Sequence, residues 1–178
     1  MWEEPDALPR PELDARDFRS ALGCFPTGVC LVTTMGPGGK PEGMTINSFT
    51  SVSLDPPMVL WSLSRAASSA PVFRDAECFA VNVLCTDDTE ISSHFAKQGA
   101  DKFAAFAHRF TPGLGGAPLL QGAAAIFECH TRHRNYGGDH IILIGNVERY
   151  THSERTPLLF HRGKYATLAH DPQMGIQC

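Results

Sequence analysis

The chain has 178 residues, of which 43% are hydrophobic, and its formal net charge is −4. This composition suits one folded domain with a buried core and excludes the disordered and collagen-like classes, while the acidic balance and the lack of any Lys/Arg run exclude a large nucleic-acid interface. No apolar stretch approaches the roughly 20 residues that cross a bilayer, and the first residues lack a signal-peptide pattern, so we expect a cytoplasmic protein without a membrane segment.

The N-terminal region predicts an extended arm followed by a helix. Three prolines in residues 1–13 remove amide donors and fix φ, which favours an extended chain. Asp14 is a suitable N-cap, and Phe18, Leu22 and Phe25 recur at the spacing of one helical face. We expect that face to pack into the core.

A β-hairpin is predicted next. Val29–Thr34 is an apolar strand candidate, residues 35–41 form a turn rich in Gly and Pro, and Glu42–Ser53 returns as the partner strand. The runs 58–63 and 78–84 are further strands, separated by a hydroxyl-rich loop and a short helical piece around residues 72–73.

The second half predicts two short helices and a long hairpin. Asp87 or Asp88 can cap a helix that carries Ile91 and Phe95, and a second short helix carries Phe103. Residues 123–136 and 140–152 read as long strands joined by a tight Gly-Gly-Asp turn. Antiparallel strands joined by hairpins, with few helices and no Gly-x-Gly-x-x-Gly, predict a mainly β fold with flanking helices that closes into a barrel.

The cysteines and histidines suggest neither a disulfide framework nor a metal site. The six cysteines form no Cys-x-x-Cys pair, and four lie in apolar segments, so we expect reduced, buried thiols. His130 and His133 are the nearest histidines, and their odd separation on a strand predicts opposite faces.

A dense row of neutral hydrogen-bonding side chains lies between the predicted strands at residues 43–57. Its members are Thr45, Asn47, Ser48, Thr50, Ser51 and Ser53. Such a row suits the edge of a flat, polar, uncharged ligand such as an isoalloxazine ring. Taken alone, it also fits an edge strand with solvated hydroxyls.

Five motifs in a fixed order resemble the flavin reductase-like family, the short-chain reductase components of two-component flavin monooxygenases. They are Phe25–Val29, Thr45–Pro57, Val81–Leu84, Asp101–Phe103 and Gly138–His140. The resemblance covers roughly residues 18–168. It implies an FMN-binding split β-barrel that is a homodimer and uses NADH or NADPH to reduce FMN or FAD. The reduced flavin would pass to a separate oxygenase component.

The resemblance also implies positions for the cofactor. Thr45, Asn47 and Ser48 match positions that contact the flavin ring and ribityl chain. The segment that receives the flavin phosphate is matched by Ser64, Arg65, Ser68 and Ser69. In that segment Arg65 supplies the fixed positive charge.

Four further residues match the family less directly. Thr27 is expected near the flavin, and Tyr165 is expected to line the nicotinamide side or pack in the core. Lys102 either reaches a phosphate or is a surface lysine. His140 is expected beside the flavin and nicotinamide as a positioning residue, because hydride transfer requires orientation more than a strong acid or base.

Two alternatives share this fold: a non-enzymatic FMN-binding electron carrier, and a plain flavin-binding module. The sequence leaves open FMN or FAD, NADH or NADPH, and the identity of the oxygenase. Trp61 and the Ala-rich loop before Ser68 depart from the family pattern and are expected to alter pocket width or flavin preference. The predicted organisation is an arm at 1–13, one domain at 14–170 and a tail at 171–178.

Overall fold

The computed structural model describes residues 12–99 and 101–169. The predicted tail and all but the last two residues of the predicted arm lie outside these ranges. The helices are α1 (Ala15–Leu22), α2 (Ala70–Asp75) and α3 (Thr89–Ala96). No helix in the described ranges is long and apolar enough to cross a membrane.

Strands make up most of the regular structure in the described chain, which confirms the mainly β prediction. In chain order they are β1 (Thr27–Gly28), β2 (Cys30–Met35), β3 (Pro41–Ile46), β4 (Thr50–Leu54), β5 (Pro57–Ser64), β6 (Cys78–Val83), β7 (Phe110–Pro112), β8 (Pro118–Leu120), β9 (Ala125–Gly137), β10 (His140–His152), β11 (Leu159–His161) and β12 (Lys164–Ala166).

The main sheet curls on itself into a barrel. It has seven strands in the order β3-β2-β6-β9-β10-β5-β4, so β3 and β4 lie at opposite edges. A flat sheet of that size would be roughly 29 Å wide, whereas the link from Ile46 to Thr50 spans at most about 15 Å. The two edges must therefore approach each other. Ser48 lies in this link, and its hydroxyl accepts a hydrogen bond from the Ser62 amide of β5 at 3.0 Å and donates to the Ser62 carbonyl at 3.1 Å.

This closure corrects the prediction of one returning strand over Glu42–Ser53. The strand that pairs with β2 ends at Ile46, and the chain from Thr50 pairs with β5 instead. The break falls where the Ser48 side chain takes the place of backbone pairing. The first hairpin, β2 with β3, is otherwise confirmed.

The barrel interior is filled from alternate positions of the strands. Val59, Trp61 and Leu63 of β5 point inward, and so do Ile141 and Leu143 of β10. Trp61 is fully buried and packs edge-on against Phe73 and Phe79. Its ring lies inside the barrel, so the expected effect of Trp61 on pocket width or flavin preference would be indirect and stays a prediction. A second apolar cluster joins the sheet to α3 through Leu31, Leu84, Ile91 and Phe95.

Helix α1 has the predicted cap but not the predicted packing. The Asp14 carboxylate accepts hydrogen bonds from the amides of Arg16 and Asp17, and these bonds lower its pKa. The apolar face is not in the core, since the exposed fractions are 51% for Phe18, 60% for Leu22 and 74% for Phe25. The helix is confirmed only as far as Leu22, because Phe25 lies in the turn beyond it. The spacing does not reveal what covers these apolar side chains.

The caps of α3 also differ from the expectation. Asp88 precedes the helix, but its carboxylate accepts a hydrogen bond from the Cys85 amide and pairs with Arg109 instead of capping α3. The short helical turn after Phe103 is present at 104–109.

The second hairpin is confirmed, with a bulge that changes its faces. Strands β9 and β10 pair along their length around Gly138, which has φ +62°. The register shifts between Ile144 and Gly145, so His130 lies opposite Asn146 and His133 lies opposite Ile144. The two histidines therefore share a face, which corrects the prediction from their odd separation. Within residues 12–99 and 101–169, no three metal-ligating side chains cluster.

The described cysteines are free thiols in three environments. Cys30, Cys85 and Cys129 are buried, and burial raises the pKa of Cys30 and of Cys129 to about 12. Cys78 is half-buried, and Cys24 is exposed against the expectation of burial. Cys178 lies outside the described residues.

Candidate functional site

Polar side chains gather on the outer face of the barrel where β5 meets β10. Because Trp61 and Leu63 face inward, Ser62 and Ser64 face outward, and both are half-buried. Ser64 lies directly opposite His140. Ser48, in the middle of the neutral polar row, is hydrogen-bonded to the backbone of Ser62 on β5.

Arg65 is held at the tip of the β9–β10 hairpin. Its amide donates to the Asp139 carbonyl at 3.0 Å, and its Nη1 donates to the Gly138 carbonyl at 3.4 Å. The guanidinium carbon lies 5.5 Å from the centroid of the Tyr136 ring. Among the described residues this side chain makes that single hydrogen bond, so its remaining N–H donors are available to an anionic ligand.

His140 is oriented by its neighbour. Its Nδ1 lies 2.7 Å from Oδ1 of Asp139, and this hydrogen bond lowers the pKa of the Asp139 carboxyl. Because an ionised carboxylate only accepts hydrogen bonds, Nδ1 is the donor and Nε2 is the ring nitrogen left for a ligand. The structure thus places Ser64 and His140 side by side on the outer face. It anchors Arg65, the next residue after Ser64, at the same hairpin tip, where its side chain contacts Gly138 and Tyr136.

The two remaining serines of the predicted phosphate segment have different environments. Ser68 is exposed on the loop that begins with Arg65. Ser69 is 5% exposed, and its hydroxyl donates to the Met44 thioether at 3.7 Å. A thioether is a weak acceptor, so the Ser69 hydroxyl is poorly satisfied where it lies.

Thr45, Asn47 and Tyr165 meet at a second place, a cavity of about 170 Å³ beside α3. Thr45 Oγ1 donates to the Ser92 carbonyl at 2.7 Å, and the Tyr165 hydroxyl donates to Ser92 Oγ at 2.8 Å. Ligand pockets commonly measure about 300–1,000 Å³. This cavity can therefore receive only part of a flavin or nicotinamide.

Thr27 lies next to this cavity. It pairs with Phe160 of β11, whose ring packs against Tyr165 with centroids 5.9 Å apart. Its Oγ1 is buried, and no described group hydrogen-bonds to it. A buried hydroxyl without a partner is costly, so a ligand atom there would be stabilising.

Sequence reasoning missed Ser92, Phe160 and Tyr136 at these places. Ser92 lies on a helix and Phe160 on a short strand whose pairing with Thr27 is non-local. No local signal distinguished Ser92 and Phe160 from ordinary packed residues, or Tyr136 from an ordinary surface residue.

Lys102 contacts the protein backbone. Its Nζ donates to the carbonyls of Gly43 at 3.3 Å and Phe95 at 3.1 Å, and burial lowers its pKa. These contacts tie β3 to α3 and favour a structural role for the lysine. Its predicted reach to a phosphate stays a prediction.

We expect Lys102→Met to lower the free energy of unfolding by about 1–2 kcal/mol. The loss of two charge-assisted hydrogen bonds destabilises the fold, and removal of a desolvated ammonium offsets only part of that loss. Flavin affinity should change by less than about twofold, as for separate sites. Urea unfolding and flavin titration would measure both. Lys97→Met, at an exposed lysine nearby, is the matched control. A large loss of flavin affinity at unchanged stability would instead assign Lys102 to the phosphate.

The residues present fit a flavin. The ring edge and ribityl chain require neutral donors and acceptors, which Thr45 and Asn47 supply at the cavity beside α3. The terminal phosphate requires fixed positive charge, which Arg65 supplies with donors to spare. Thr27 offers a buried hydroxyl that lacks a partner among the described groups.

Comparison with known proteins decides the family. The profile described as "Flavin reductase like domain" matches residues 22–169. The chain belongs to the flavin reductase-like family. It is 41% identical over 161 residues to a flavin reductase of Pseudomonas putida, covering 90% of this chain and 94% of that one. It is 42% identical over 152 residues to an FMN reductase (NADH) of Agrobacterium fabrum, covering 85% of each chain.

A solved structure agrees. The NADH:FAD oxidoreductase of Streptomyces globisporus superposes with a TM-score of 0.82 at 38% identity, covering 92% of this chain and 99% of that one. Family membership confirms the predicted split-barrel fold and the predicted class of enzyme, an oxidoreductase acting on flavin with a reduced nicotinamide. The roles of individual site residues stay predictions.

Proposed function

We propose that this protein is an NAD(P)H:flavin oxidoreductase that reduces FMN or FAD and supplies the reduced flavin to a separate oxygenase. The observation that carries the proposal is the pairing of Ser64 with His140 next to Arg65 at the hairpin tip, in a chain of this family. Other relatives are named as reductase components or subunits of flavin-dependent monooxygenases, which supports the oxygenase partner.

Each group has a role that its position supports. Arg65, with Ser64 and Ser68, binds the flavin phosphate, and Asn47 and Thr45 recognise the polar edge of the ring. Ser48 contributes its backbone there, since its hydroxyl is used in closing the barrel. A flavin held by these residues would supply the acceptor for a hydride from the reduced nicotinamide. Tyr165 and Phe160 supply an apolar wall that excludes water from the cavity beside α3.

The first test is oxidation of NADH and of NADPH, followed by absorbance, with FMN, FAD or no flavin added. Oxidation that depends on added flavin is the expected result, and it would identify the preferred donor and acceptor. Bound flavin without nicotinamide oxidation would contradict the proposal and favour an electron carrier or a flavin-binding module.

His140→Ala is expected to slow flavin-dependent NADH oxidation on the order of tenfold, because a misplaced nicotinamide or flavin loses the near-attack geometry of hydride transfer. Flavin affinity should stay near that of the wild type. Steady-state rates and flavin titrations on the same preparation would measure the two effects. Asp139→Asn, which keeps a hydrogen-bond acceptor for Nδ1, should cost less. Equal turnover in His140→Ala and wild type would remove His140 from the site.

We also propose that the protein is a homodimer in the cytoplasm, and that a second copy covers the exposed face of α1. Phe18 and Leu22 lie one turn apart on α1, and Phe25 follows in the turn after the helix. All three are exposed, and exposed apolar side chains grouped in this way are typical of interfaces. The free thiols support a reducing compartment.

Light scattering is therefore expected to give a mass of twice 19.4 kDa. Leu22→Glu should shift the protein toward the monomer, because it places a charge in an apolar contact. Ala105→Glu, at an exposed position away from α1, is the control. A wild-type monomer at micromolar concentration would contradict the dimer.

A further inference from the structure

Tyr136 has an exposed aromatic ring at the tip of the β9–β10 hairpin, immediately beside Arg65. Its exposed fraction is 70%, and the Arg65 guanidinium lies against one face of the ring. The other exposed aromatic side chains of the described residues lie elsewhere: Phe18 and Phe25 belong to the α1 region, Tyr150 lies at the opposite end of β10, and Tyr165 lies at the cavity beside α3.

The ring is held in place although it is exposed. Arg65 is held by two hydrogen bonds, one from its backbone amide to the Asp139 carbonyl and one from its Nη1 to the Gly138 carbonyl. The guanidinium therefore braces Tyr136 from one side. An aromatic ring paired with a guanidinium has a defined orientation and keeps its second face for a ligand. A surface tyrosine without such a contact would be a poorer platform.

The two flavins differ beyond the first phosphate. FMN ends at that phosphate, whereas FAD continues through a second phosphate to ribose and adenine. If Arg65 binds the first phosphate, a ligand group that reaches Tyr136 from there belongs to the part that FAD alone carries. Adenine stacks well on tyrosine rings and on arginine planes.

We propose that Tyr136, braced by Arg65, is the stacking platform for the adenine of FAD, and that this protein therefore binds FAD more tightly than FMN. The inference rests on the proposed function, because it takes Arg65 as the phosphate ligand. It makes Tyr136 a residue that determines flavin preference.

The test compares FAD and FMN affinity in wild type, Tyr136→Ala and Tyr136→Phe by fluorescence titration. Tyr136→Ala should raise the Kd for FAD on the order of tenfold, and the Kd for FMN by less than about threefold through looser bracing of Arg65. Tyr136→Phe keeps the ring and should bind both flavins like the wild type. Tyr150→Ala is the matched control, about 30 Å away along β10 by the rise of a strand, and should change neither affinity.

Two results would overturn the assignment. One is a Tyr136→Ala variant that binds FAD as tightly as the wild type, or that loses no more affinity for FAD than for FMN. The other is a Tyr136→Ala variant whose KM for NADH, measured with FMN as acceptor, is increased while its FAD affinity is unchanged. That result would mean that Tyr136 stacks on the adenine of the nicotinamide dinucleotide. FMN binding by the wild type separates these results from failure of the proposed function, in which neither flavin would bind.

Discussion

Arg65→Ala is expected to weaken the binding of FMN by roughly tenfold to a hundredfold. A hydrogen bond to a charged group contributes about 1.5–3 kcal/mol, and each 1.4 kcal/mol corresponds to about a factor of ten in Kd. Arg65 is exposed and makes its described hydrogen bonds to backbone carbonyls of the hairpin tip, so its removal should leave the fold intact. Titration of flavin fluorescence would measure the change.

Riboflavin is the control ligand for this prediction, because it lacks the phosphate. Its affinity should be nearly the same in wild type and Arg65→Ala. Arg65→Lys should recover only part of the FMN affinity, since an ammonium keeps the charge but loses the fork of planar donors and the stacking on Tyr136. Equal weakening of riboflavin and FMN would show that Arg65 shapes the site and does not bind the phosphate.

Trp61→Ala is expected to lower the free energy of unfolding by about 3–5 kcal/mol, the cost of removing a large aromatic side chain from a packed core. Trp61 is fully buried, and its ring packs edge-on against Phe73 at 5.2 Å and Phe79 at 5.9 Å between centroids. Denaturant unfolding would measure the loss, and flavin affinity of the folded fraction should be unchanged because the ring faces the barrel interior.

Trp61→Phe gives the matched comparison. It keeps an aromatic ring and removes the indole Nε1, which is buried without a hydrogen-bond partner among the described residues. We expect it to cost less than half of the alanine variant, since removing an unsatisfied donor offsets part of the lost packing. A change of flavin preference in either variant, with stability maintained, would contradict the interior assignment.

The sequence predicted the local hairpins well because their signals are local. Gly138 supplies the positive φ of the tight turn, and alternation along β5 and β10 assigns inward and outward residues. The break at Ser48 was not predictable from local pattern, since it depends on the order of the strands in a seven-stranded sheet, which puts β3 and β4 at opposite edges. The same limitation explains α1, where periodicity identified an apolar face but not its partner.

The site was partly predictable for a related reason. Arg65, Ser64 and His140 lie at strand ends, and family motifs mark those positions. Ser92 and Tyr136 reach their places through tertiary contacts, one from a helix and one from across a hairpin. The bulge that places His130 and His133 on one face likewise depends on pairing with β10, which no spacing rule reveals.

The hydrogen bonds between Ser48 and Ser62 limit how cofactor preference can change in this scaffold. A substitution at Ser48 alters barrel closure and the polar row at once, so variation there is tied to foldability. A substitution at Tyr136 should not affect folding in this way, because its ring is largely exposed and contributes little to the core. Engineering toward a different flavin should therefore begin at the hairpin tip, where a new side chain can be introduced without destabilising the barrel.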